Sequence, residues 1–448
     1  MSIVGLPPYI TKKPDASNYE RFLANVANDG GIVETALAMY HQLPDDVLDA
    51  NILLVPGAYK SDTLYCFQKF SPYYKATLSR PGTATRVNAL GQVVLTQPNV
   101  PRIEYDLANN KSYLLLERQS TNLVENTVAF DNLNIGQANR EVVATSAPYA
   151  DATVLKFTRS FGGAAYAYIR DTGHGVGYRT ISLMVKKIDG DSNKVGLYAI
   201  VLGTRQSDSA NVFIGIDLNF NFDTKEITAV YGGGQFDVLR NEEVGYQELT
   251  DGWYRLHLTF EIYNMSYIGQ IYAGTGSYST NQPVGTSVLV SCFQFEIGRL
   301  TSYKPTYGIQ VTQPADELLF TALQAQGAFA DNKGTLFMSA VLSPDYDVHL
   351  DDGNDDIFRI SKAGMSIVGM FEEILPVATN DKAGYKWEYN EKGVVVTAGA
   401  VTEELSENTA PMVVERLRIL PTNDRVCVFH IALYNRLVKN SILQTLTT

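Results

Sequence analysis

Cleaving a glycosidic bond takes two carboxylates about 5 to 9.5 Å apart, one to protonate the leaving oxygen and one to attack or to activate water. The nearest candidates are Glu388 and Glu391 in KWEYNEK, with Asp217 in GIDLNF. Residues three apart on an extended strand point to opposite faces, so Glu388 and Glu391 do not converge. His41, His174, His257, His349 and His430 are scattered and form no H-E-x-x-H or similar array. No G-x-S-x-G elbow is present to raise a nucleophilic serine. GHGVG at 173–177 and GGG at 232–234 each fall between strand candidates, which predicts turns and not a phosphate cradle. No catalytic residue is assigned, and the chain is expected not to be an enzyme.

Two kinds of binding chemistry remain. HLDDGNDDI places Asp351, Asp352, Asp355 and Asp356 around Gly353. Closely spaced oxygens can hold calcium, the one cofactor the sequence raises, although the spacing is not that of an EF-hand loop and acidic turns are common on solvated surfaces. A glycan site needs an exposed aromatic platform with polar neighbours, because sugars present apolar faces rimmed by hydroxyls. Trp253, beside Arg255 and His257, and Trp387, near Tyr385, are the candidates. For Trp253 the competing reading is packing under a neighbouring segment.

The elements that must position these residues read as short strands. In GWYRLHLTFEI, Tyr254, Leu256, Leu258, Phe260 and Ile262 share one face and are expected to meet a core, while Trp253, Arg255, His257, Thr259 and Glu261 share the other. FQFEIGRLTSYKPT alternates in the same way until Gly298 and Pro305 stop it, which predicts a closing strand followed by a linker, TSYKPT. Many such strands at short spacing, with no long helical pattern between them, predict antiparallel sandwiches and not a parallel α/β sheet. Helical character is confined to the N-terminus. Tyr19, Phe22, Leu23 and Val26 recur at helical spacing ahead of Asp29-Gly30-Gly31, and IVETALAMYHQL is a second helix candidate. Two short helices without a core of their own read as an anchor.

Composition sets the frame. With 448 residues the chain suggests two or three domains, and 45% hydrophobic against 19% charged residues describes a folded protein. A formal charge of −12 argues against nucleic acid as a main partner, which would require a basic surface. Three separated cysteines give neither a disulfide framework nor a zinc spacing and point to a reducing place of assembly. No run approaches the roughly 18 apolar residues of a membrane span, and MSIVGLPPYITKK lacks the unbroken apolar stretch of a signal peptide. The 27 tyrosines suit a surface that binds glycans or proteins, and equally suit strands.

Four stretches carry a resemblance. ATLSRPGTATRVNALGQVVLTQPNVPRIEYD, LLLERQSTNLVEN, DGWYRLHLTFE and FQFEIGRLTSYKPT are similar, in that order, to segments of tailed-bacteriophage virion proteins. The matching positions include Arg80, Asn88, Gly91, Arg102, Asn122, Trp253, Arg255, Gln294, Glu296, Gly298, Thr301, Ser302, Tyr303 and Thr306, whereas Phe295 and Lys304 depart from the pattern. The closing HIALYNRLVKNSILQTL resembles the last segment of concanavalin-like (laminin-G-like) sandwiches. The resemblance implies a mainly β chain: a helical and extended anchoring region at 1–75, a carbohydrate-binding-module-like jelly roll at 76–306 with a lead-in at 76–125, and a concanavalin-like sandwich at 307–448. It implies a fibre or appendage of the tail or head, a virion location after assembly in the host cytoplasm, attachment to other virion proteins through the N-terminal region, and a homo-oligomer, by analogy a trimer. A bacterial surface glycan is the expected ligand. A purely structural decoration or adaptor protein and a polysaccharide depolymerase are the alternatives.

Overall fold

The computed structural model describes residues 16–34, 37–69, 71–108, 111–129, 134–136, 138–159, 166–171, 175–188, 193–232, 238–276, 285–329, 333–342, 346–351, 356–361, 364–367, 371–375, 382–388, 392–397, 400–407, 415–421, 425–436, 438–439 and 441. The chain is mainly β, with antiparallel sheets and one small N-terminal helical region. None of its described helices is long and apolar enough to cross a membrane.

One sandwich comes from a single stretch, 120–313. In its first sheet Ala138–Val143, Val154–Arg159, Ser287–Ile297, Gly177–Lys187, Trp253–Ile262 and Leu239–Glu248 lie side by side, with Ser120–Asn122 pairing both Ser287–Ile297 and Val311–Gln313. Its second sheet runs Asn134–Gly136, Tyr166–Asp171, Met265–Gly276, Lys194–Arg205, Asn211–Asn221 and Ile227–Gly232. Leu183, Leu197, Leu218, Leu256, Phe260 and Phe295 fill the space between them.

The other sandwich is assembled from both sides of that stretch. Tyr74–Ser79 pairs with Glu317–Phe320, bringing Leu78 opposite Leu318, and Lys111–Glu117 pairs with Arg425–Tyr434, bringing Leu115 opposite Cys427. Leu54, Leu78, Leu116, Leu318, Leu336 and Leu433 share one core. The divisions expected at 75/76 and 306/307 therefore do not follow the strand pairing. The first sandwich is an insert between Glu117 and Asp316, and strands on both sides of residue 75 belong to the outer one. Alternation reports which residues face a core; it does not report which strands share it.

The anchor reading changes as well. A helix forms over Ala16–Asn28 and stops where Gly30, at φ 75°, turns the chain. Its buried face, Tyr19, Phe22 and Val26, packs on Leu53, Phe67, Phe337, Ala432 and Tyr434 of the chain's own outer sandwich. The second helix candidate is shorter than expected, Leu37–His41, because the β-branched pair Ile32–Val33 is extended and pairs with Ala58–Lys60.

Candidate functional site

The residues that carried the resemblance converge where the two sandwiches meet. Arg102 sits at the centre. Its Nη1 donates to Glu117 Oε2 at 2.5 Å and to Ser302 Oγ at 2.9 Å, and its Nη2 donates to Asp316 Oδ2. Ser302 answers by donating its backbone N–H to Glu117 Oε1 at 2.5 Å, and the Glu117 N–H donates to Asp316 Oδ2 at 2.7 Å. Arg80 lies 3.5 Å from Asp316 and donates from Nη2 to the carbonyls of Gln97 and Val100.

A second set of contacts continues into the insert. On Ser287–Ile297, Phe293 and Phe295 enter the core while Gln294 and Glu296 turn to the opposite face. Glu296 Oε1 accepts from Gln294 Nε2 at 2.9 Å and from the Thr301 N–H at 3.0 Å, and Glu296 Oε2 lies 3.3 Å from Lys304 Nζ. Gln294 Oε1 takes the Lys304 N–H at 2.7 Å, and Asn122 Nδ2 donates to the Lys304 carbonyl at 2.8 Å. Arg255 donates to Ser182 Oγ at 2.9 Å and to the Thr301 carbonyl at 2.8 Å. TSYKPT is thus no free linker: it lies buried across the sheet and supplies the joint.

Gly298 explains why the strand stops there. Its φ of 92° is the left-handed region, and a Cβ at this position would stand 2.5 Å from Cζ of Arg118, whose Nη2 donates to the carbonyls of Ile297 and Arg299. Gly298→Ala is expected to cost about 1–3 kcal/mol from the backbone alone, read as a lower urea midpoint at an unchanged slope.

Arg80, Arg102, Glu117, Glu296 and Asp316 are each 0% exposed, so no substrate reaches them. The arrangement binds one sandwich to the other. Burial by itself would raise the Glu117 carboxyl, but Arg102 and Lys304 outweigh it and hold the group at about 2. Lys304 is pushed below the usual ammonium range, burial outweighing the attraction of Glu296 and Glu117. A depressed carboxylate stabilises the fold above its unfolded value of 4.5, and that contribution is lost as pH falls toward about 2. The share of this loss that belongs to Glu117 is about 3 kcal/mol, at about 1.4 kcal/mol per unit. In Glu117→Gln this component is absent, which a pH series of urea titrations measures.

A smaller contact lies beside the joint. Nε2 of the buried His257 is 3.2 Å from Glu243 Oε1, and Arg425 of the outer sandwich reaches the same oxygen at 4.0 Å. The hydrogen bond from His257 holds Glu243 at about 2, while burial outweighs the attraction of Glu243 and keeps His257 below its usual value. Nearby, Gln247 Nε2 donates to Glu104 Oε1 at 2.9 Å.

The sequence candidates separate clearly. Trp253 is 1% exposed and packs with Val87, Val93, Val154, Met184, Leu249 and Tyr303, so it offers no ring to a glycan. Its neighbours Arg255, His257 and Thr259 are buried as well, because the sheet's second face is covered by the hairpin Ala84–Val87/Val93–Thr96 and by the segment around Thr301. Tyr385 and Trp387 lie on Lys382–Glu388 opposite Leu336 and Gly334; their side chains lie outside the described ones, as does Glu391. Asp217 is buried opposite Tyr198 and Val230, in a different sheet from Lys382–Glu388. Asp351 and Asp356 pair across a hairpin whose Asp352 and Asp355 lie outside the described residues. Among the described residues no three His, Cys, Asp or Glu side chains cluster as metal ligands. Glu117, Arg118, Ser182 and Asp316 are among the joint residues that sequence reasoning did not single out. Asp316, in QPADELL, looks like any acid ahead of a strand.

No protein-family model matches the chain, and no curated protein matches it.

Proposed function

We propose that this chain is a non-enzymatic structural component of a tailed-bacteriophage virion, a fibre or appendage protein of the tail or head. The observation that carries the reading is the coincidence of two independent facts. Four motifs resemble virion proteins in order, and their polar residues, Arg80, Arg102, Asn122, Gln294, Glu296 and Ser302, meet in one buried joint although up to 222 positions separate them in the chain (302 − 80). A motif set that builds an architectural joint suits a displayed, load-carrying body. Of the readings within this class, the one without a glycan ligand gains from the burial of Trp253, which removes one aromatic platform. Since the apolar face of Ala16–Asn28 is taken up inside the chain, attachment to other virion proteins is left to other surfaces of the region 1–75.

Gradient-purified particles of the phage that encodes the chain test the reading. Peptides of this protein at a fixed copy number relative to the major capsid protein support it, and their absence overturns it. A glycan array and an assay for released reducing ends separate the glycan-binding and depolymerase alternatives, and light scattering of the purified protein checks the trimer.

A further inference from the structure

We infer that the two sandwiches stand in a one-way relation: the insert is self-sufficient, and the outer sandwich closes only on a folded insert. This goes beyond the virion reading and does not depend on it. The core of the insert draws on one unbroken stretch, from Val124 to Phe295. The outer core instead joins residues 52–116 to residues 318–433.

The insert also fastens its own ends. Ser120 stands opposite Gln313 and Asn122 opposite Val311, and Asn122 is tied in turn to Glu296 and to the Lys304 carbonyl. Once this ladder forms, Glu117 and Asp316 lie within hydrogen-bond distance, 2.7 Å from N–H to carboxylate, although 199 positions separate them. Closing a loop of that length has a probability that falls as the 3/2 power of its length. Shortening it to a handful of residues favours closure on the order of 10²–10³-fold. The insert does take the hairpin 84–96 against its second face, where Val87 and Val93 meet Trp253, but its own core needs no contact between residues before Glu117 and after Asp316, so no loop closure of this length is asked of it. Cooperative units of such unequal autonomy open separately.

Hydrogen exchange by mass spectrometry on the full-length chain tests this with one buried charge in each core, Leu336→Asp and Leu258→Asp. In Leu336→Asp, amides of 177–187, 194–205 and 253–262 are expected to exchange at the wild-type rate, while those of 63–68, 111–117 and 425–434 exchange as an unstructured chain. In Leu258→Asp both sets are expected to lose protection. Two outcomes overturn the inference: loss of the insert in Leu336→Asp means the two sandwiches fold as one unit, and a protected outer sandwich in Leu258→Asp means it does not lean on the insert.

Discussion

Arg102→Met is expected to lower the stability of the whole chain by about 3–5 kcal/mol, the range for removing one partner of a buried ion pair. The loss comes from what stays behind. Without the guanidinium, Glu117 and Asp316 remain fully buried, with the N–H and hydroxyl of Ser302, the amide of Gln313, Arg80 and the Glu117 N–H as their remaining partners. Net destabilisation exceeds the worth of the contact itself, because the desolvation of two carboxylates is no longer offset. Urea unfolding of Arg102→Met, Glu117→Gln and the double variant measures it. The two losses are expected to be strongly non-additive, since neutralising Glu117 removes half of what Arg102 leaves unpaired. A loss under about 1 kcal/mol for Arg102→Met would show that packing, and not charge, holds the joint.

Trp253→Ala is expected to cost about 3–5 kcal/mol, as for other large buried aromatics. The ring joins the hairpin residues Val87 and Val93 to Met184 and Tyr303 of the insert, so its removal opens a cavity beneath the hairpin. The indole N–H has no hydrogen-bond partner among the described residues, so Trp253→Phe forfeits ring volume alone and is expected to be markedly milder. A glycan-contacting tryptophan would behave differently, losing ligand retention with the melting temperature intact. Thermal unfolding alongside an array separates the two.

Trp253 also shows where sequence reading reaches its limit. The alternation in Trp253–Ile262 is sharp, and of the half assigned to the core Leu256, Leu258, Phe260 and Ile262 are in it, with Tyr254 half-buried at its edge. The other half, which contains Arg255, His257 and Thr259, carries no core signal, yet it is buried beneath the hairpin Ala84–Val87/Val93–Thr96 and the segment around Thr301. A polar face signals water or a polar partner equally, and only the tertiary structure decides between them. The strand Leu239–Glu248 was not legible for a related reason: it lies at a sheet edge, half-buried, and LRNEEVGYQE carries too few apolar residues to show a period. Ala400–Glu407 is similar in its run of acids. The joint was legible as a motif but not as a place, since Arg102, Glu117, Ser302 and Asp316 come together only after pairing between strands far apart in the chain.

That meeting of Glu117 with Asp316 has a consequence for how such chains diversify. A polypeptide that leaves and re-enters its frame through one doorway tolerates replacement of whatever lies beyond it, because the frame constrains only the two ends. Recombination could exchange the module between these positions as a cassette, provided that the newcomer's termini are equally close and that it brings a donor pair like the N–H and hydroxyl of Ser302 to quiet Glu117. The threshold is chemical rather than geometric: a cassette with well-placed ends but no such donors would leave a carboxylate sealed in the doorway under-paired, and selection would discard it.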